Sequence, residues 1–159
     1  MFSVGDKVVY PAHGVGRIEA IVEKEVAGEK MSFYVLSIYG KDVKIMVPTL
    51  NADKVGLRQV VREEELEKVF HILKDGIDKM PSKWNKRYLF NMDKIKTGSI
   101  YEIAEVFRNL TLLSKEKELS FGEKKMLDST RDLIVKEIAY SKKIETSQAE
   151  TLVNKYCDV

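Results

Sequence analysis

The chain has 159 residues, with 27 lysines and arginines against 25 aspartates and glutamates, so its formal charge near neutrality is only +2. Hydrophobic residues make up 44% and charged residues 33%, the mixture of a helix-rich globular protein and not of a disordered tail. No apolar run approaches the ~20 residues of a membrane span, and so small a net charge excludes a general nucleic-acid coat, which needs many phosphate contacts.

This length allows one ordinary domain or two small ones. The opening MFSVGDKVVYP has neither a basic n-region nor an apolar h-region, so no secretory signal is expected. Cys157 stands alone, which excludes an internal disulfide and a cysteine-based zinc site. These features predict a cytoplasmic protein.

Residues 3 to 60 read as short strands. Asp6–Tyr10 precedes the turn-rich PAHGVG, and Arg17–Ala27 and Lys30–Tyr39 flank Gly28 as a hairpin. Val43–Val47 alternates until Pro48 stops it, and Leu57–Val61 can close the set. Close spacing with glycine and proline punctuation predicts a small, strongly bent barrel or half-barrel. The alternation in Val43–Val47 fits an interior barrel strand, but it also fits an exposed edge that accepts a partner's strand.

The pattern changes near Arg62. Glu63, Glu64 and Glu65 suit a helix N-terminus, and Leu66, Val69, Phe70 and Leu73 follow at helical spacing until Gly76. Pro81–Ser82 is expected to open a helix running to about Gly98. Ser99–Glu102 and Ser120–Glu123 read as capping boxes for two more, and a last helix is expected after Thr146 or Ser147. The chain is thus read as α+β in two modules, with a helical bundle following the β module.

Met80–Asn91, MPSKWNKRYLFN, holds the single tryptophan, Trp84. Between Lys79 and Lys96, six cations (Lys79, Lys83, Lys86, Arg87, Lys94 and Lys96) face one acid, Asp93. Trp84, Tyr88, Met92 and Ile95 share one helical face, so the indole fits the end of a core stripe. Such stripes are usually core, but the indole also fits an apolar wedge against opened bases, with the cations on phosphates. His13 and His71 lack a third ligand at a recognisable spacing, which speaks against a metal site. Gly14-Val15-Gly16 lies between strands and opens no helix, so it is no phosphate loop. No acid–base pair or activated nucleophile is legible, and no enzyme or cofactor is expected.

The segments GDKVVYPAHGVG (Gly5–Gly16), VPTLNADKVGLR (Val47–Arg58), PSKWNKRY (Pro81–Tyr88) and LSFGEKKML (Leu119–Leu127) resemble, in order, the CarD/CdnL family of bacterial transcription regulators. The resemblance implies a Tudor-like, SH3-like β-barrel over residues 1–60, docking on the RNA polymerase β subunit by its sheet edge. It implies a DNA-contacting all-α helical bundle over residues 61–159. The family's tryptophan wedges into the minor groove at the upstream edge of the melted −10 region, and here that residue is Trp84. Lys86, Arg87 and Lys124 match the DNA-touching cations; Lys24, Val26 and Met46 match the polymerase-binding positions. Met46 and Leu89 stand where some relatives carry basic residues. The partners implied are RNA polymerase and promoter DNA, with no membrane and no small-molecule substrate.

Overall fold

The computed structural model describes residues 1–157. The chain divides into two compact units, Met1–Val60 and Val61–Val159.

The first unit is a five-stranded antiparallel sheet in the order β4-β3-β2-β1-β5. Its strands are β1 (Lys7–Tyr10), β2 (Gly14–Val26), β3 (Glu29–Ile38), β4 (Lys44–Pro48) and β5 (Arg58–Gln59). Ala27 and Gly28 join β2 to β3 with both residues at positive φ, the geometry that matches strand twist in a two-residue hairpin. The β2–β3 register shifts between Ile18 and Ala20, and such an irregularity bends the strand. Val8, Ile18, Tyr34, Leu36, Ile38, Val47, Ala52 and Leu57 form the core on one face. Gly16 lies hard under β3, where a Cβ would run into the Ser37 carbonyl oxygen. β4 pairs with β3 alone and is an edge, not an interior strand.

The second unit is helical: α1 (Leu66–Lys74), α2 (Trp84–Lys96), α3 (Ile100–Ser114), α4 (Phe121–Lys142) and α5 (Thr146–Tyr156). α3 is buried over most of its length, with Ile100, Ile103, Ala104, Val106, Phe107, Leu110 and Leu113 interior beside the polar Arg108, Asn109 and Thr111, and it takes the centre against α1, α2 and α4. At the start of the unit, the Val61 N–H donates to Glu137 (2.8 Å), and its carbonyl accepts from the Ser141 hydroxyl (2.6 Å). Cys157 caps α5, 2% exposed, and burial pushes its thiol pKa up.

Helix starts shift from the sequence reading in two places. α2 begins at Trp84, not at Pro81–Ser82, because Lys83 is extended (φ −79, ψ 131) and serves as the N-cap. α5 begins at Thr146 itself, since Glu145 forms a capping box with Gln148. Ser120 and Glu123 make the expected reciprocal box, whereas the Ser99 hydroxyl accepts from Tyr101 N–H, one residue short of Glu102. No helix among the described residues is long and apolar enough to cross a membrane.

Candidate functional site

In the helical unit, the non-helical stretch leading to α2 is pinned by α3. Arg108 donates to the Ile72 carbonyl (2.9 Å) and to Asp78 (2.6 Å), and Asp78 N–H donates to the Asn109 side chain (3.0 Å). Met80 packs on the apolar cluster formed by Val106, Leu110, Leu113, Leu119 and Met126, as do Tyr88, Met92 and Ile95. The chain therefore reaches Trp84 already ordered.

Trp84 is the first residue of α2. Its azimuth is that of buried Arg87 and Asn91, yet it lies one turn beyond them, and it is 61% exposed. The stripe of Tyr88, Met92 and Ile95 is core, but the indole at its end is not. The N-cap residue Lys83 supplies no side-chain bond, Asn85 Oδ1 accepts only from the Lys86 N–H (2.9 Å), and no acid stands in the first turn, so the positive end of the helix dipole meets no compensating carboxylate on α2. Lys79, Lys83, Lys86 and Lys96 are exposed. Lys94 is drawn off to Glu105 (2.6 Å). Lys124 is exposed and reaches Glu118 at 3.1 Å, a surface pair that holds little energy.

Arg87 is different from its neighbours. It is 4% exposed: Nε donates to Glu123 Oε2 (2.6 Å), Nη2 to Glu123 Oε1 (2.9 Å) and Nη1 to the Ser82 carbonyl (2.9 Å). The expected surface cation is therefore an interior one, because a one-residue step turns the helix by about 100° and sends Lys86 and Arg87 to different faces. Bonding to Glu123 holds the guanidinium pKa above its ordinary value. Glu123 is wholly buried; burial pushes its carboxyl up, but the bonds from Arg87 and Ser120 outweigh that and leave it below 4.5.

The pair brings the N-termini of α2 and α4 together. Gly122 faces the Tyr88 ring closely enough that a Cβ would sit 3.2 Å from it. Phe121, the first residue of α4, is 74% exposed with Lys125 Nζ 4.9 Å from its ring centroid. Sequence reasoning missed Phe121 as a surface group. Its one signal was a large aromatic directly after a capping serine, a position where helix formation asks for none.

In the β unit, register decides which side chains share a face. Lys24 lies opposite Met31, Val26 opposite Glu29, and Met46 opposite Val35. Alternation then places Lys24, Val26 and Met46 on one face with Val22, Met31, Phe33, Val35 and Pro48, opposite the core face of Tyr34, Leu36 and Val47. Val26 and Met46 are exposed. A groove of about 320 Å³ beside the start of β3 includes Met31, Pro48 and Leu50 in its lining, with Leu50 86% exposed. Sequence reading took Pro48 only as the stop to Val43–Val47 and did not single out Leu50, since neither position's exposure follows from strand alternation.

Two family models match this chain: the CarD-like/TRCF RID domain over residues 2–61 and the CarD C-terminal domain over residues 68–154. The chain belongs to the CarD family, a family of transcription factors. It is 40% identical over 151 residues to a Bacillus subtilis (strain 168) protein described as "Putative transcription factor YdeB", covering 95% of this chain and 99% of that one. Two solved structures from Myxococcus xanthus are similar to the N-terminal part. The 72-residue N-terminal domain of CarD is 41% identical, covering 37% of this chain and 79% of that one at a TM-score of 0.33. CdnLNt is 46% identical, covering 40% and 89% at a TM-score of 0.35.

Proposed function

We propose that this protein binds the β subunit of RNA polymerase through its sheet and stabilises the melted promoter with its helical unit. On this reading it acts in the cytoplasm, where polymerase is. β4 adds to a strand of the polymerase lobe, and Lys24, Val26 and Met46 supply contacts from the outward face beside it. Trp84 enters the minor groove at the upstream edge of the −10 bubble as an apolar wedge, with Lys86 and Lys124 on phosphates. Lys124 exchanges Glu118 for phosphate at small cost because the surface pair is weak. Arg87 supports Trp84 from within, and the protein carries out no catalysis in this scheme.

The observation that carries this reading is an indole 61% exposed at the first residue of a helix with exposed Lys83 and Lys86 beside it. A ring that fits only the distorted fork binds the open complex better than the closed one. The equilibrium then shifts by that difference and no more. About 1.4 kcal/mol of differential binding gives roughly tenfold more open complex, within reach of one wedge and a few phosphate contacts.

Lifetime of the open complex on purified polymerase is the test. Trp84→Ala should keep polymerase binding and lose most of the added lifetime; full lifetime in that variant removes the wedge. Exposed Trp84, Leu89 and Phe121 would also suit a protein-recruiting adaptor. Footprinting separates the two, since only the DNA reading predicts protection at the upstream edge of the bubble.

A further inference from the structure

We infer that Arg87 and Glu123 are positioning residues that hold Trp84 and Phe121 as one rigid surface, an inference that rests on the DNA-facing reading above. Members of one hydrogen-bonded network, buried at Arg87 and Glu123, flank both exposed rings along the chain. Ser82 and Arg87 lie on either side of Trp84, joined by the 2.9 Å bond from Nη1 to the Ser82 carbonyl. Ser120 and Glu123 lie on either side of Phe121, joined by the Ser120 N–H (3.2 Å) and hydroxyl (2.9 Å), both donating to Glu123 Oε1. The bidentate Arg87–Glu123 pair then links the two brackets across the helices.

Three features give this link a role beyond holding the helices together. Both groups are out of water, Arg87 at 4% and Glu123 at 0% exposure, so the geometry is not loosened by solvent. The fork of the guanidinium fixes angle as well as distance, which a lysine does not do. Trp84 itself is not packed into the core and its N-cap residue supplies no side-chain bond, so the bonds flanking it are what limit its swing. A rigid wedge loses less entropy on entering a groove than a mobile one.

The test uses the full chain and its single tryptophan as reporter. The double variant Arg87→Met with Glu123→Gln leaves no unpaired buried charge and keeps a side chain that can serve the α4 cap. In the free protein, Trp84 anisotropy should fall and acrylamide quenching rise while circular dichroism stays native. On polymerase, open-complex lifetime should fall most of the way to that of Trp84→Ala. Its dependence on salt should keep the wild-type slope, whereas Lys86→Ala should lower the slope by about one and leave the indole rigid. A lowered salt slope in the double variant would make Arg87 a phosphate contact and overturn the inference. So would wild-type anisotropy, or wild-type lifetime alongside a loosened indole. If the double variant unfolds, Arg87→Lys gives the same readouts with the charge retained, and an unchanged indole there overturns the inference as well. Trp84→Ala with full lifetime would strike the functional reading, while the anisotropy of the free protein would still decide the positioning role.

Discussion

Glu123 keeps its charge with no surface in water, and that sets how the helical unit responds to acid. Burial raises its carboxyl pKa, yet hydrogen bonds from Arg87 and Ser120 bring it below 4.5 in the folded protein. The unfolded chain then binds the proton more readily, so the pair's stabilisation is complete above 4.5 and is lost as pH falls through the folded value. Urea midpoints measured between about pH 5 and pH 3 should decline for the wild type and decline less steeply for Glu123→Gln. Parallel curves would show that Glu123 carries no such linkage. The sequence displayed Arg87 beside Lys86 and invited one role for both. The acid that claims Arg87 lies 36 positions away, and nothing local marks it. Trp84 was legible as a first-turn residue because periodicity places it at the end of the Tyr88–Met92–Ile95 stripe.

Among the elements, strands and helices were read from alternation and from helical spacing, and the departures sit at their ends. α2 starts later than Pro81–Ser82 suggested because Lys83 is extended and takes the N-cap position, and the carbonyl of Ser82 accepts from the Arg87 side chain and not from a helical N–H. The choice between an interior and an edge position for β4 depended on pairing partners, which alternation alone does not carry. Gly16 is a tighter constraint than the sequence indicated. Gly16→Ala would press a methyl into the Ser37 carbonyl, which belongs to backbone and cannot rotate away. Overpacking of this kind costs about 1–3 kcal/mol, so thermal melts should show the β unit clearly destabilised. An unchanged melting temperature would mean that β2 and β3 separate more easily than their pairing suggests.

Charge is nearly balanced in both halves of the whole molecule, with eight basic against seven acidic residues up to Val60 and 19 against 18 beyond it. Such a protein has little attraction for duplex DNA at a distance, and the proposed function requires the sheet to supply local concentration. Met46→Asp, on the outward face, should leave the unfolding free energy within about 0.5 kcal/mol of wild type. It should abolish open-complex stabilisation at protein levels that saturate the wild type, with recovery as concentration rises. Loss that persists at every concentration would mean that the sheet contributes more than tethering.

The sealed position of Cys157 has a practical side. The one sulfhydryl of the chain is 2% exposed and its ionisation is suppressed by burial, so thiol-directed dyes meet little reactive thiolate there. A cysteine introduced at an exposed site such as Asn85 would therefore outcompete it for a maleimide fluorophore, yielding a singly labelled protein with its native thiol intact.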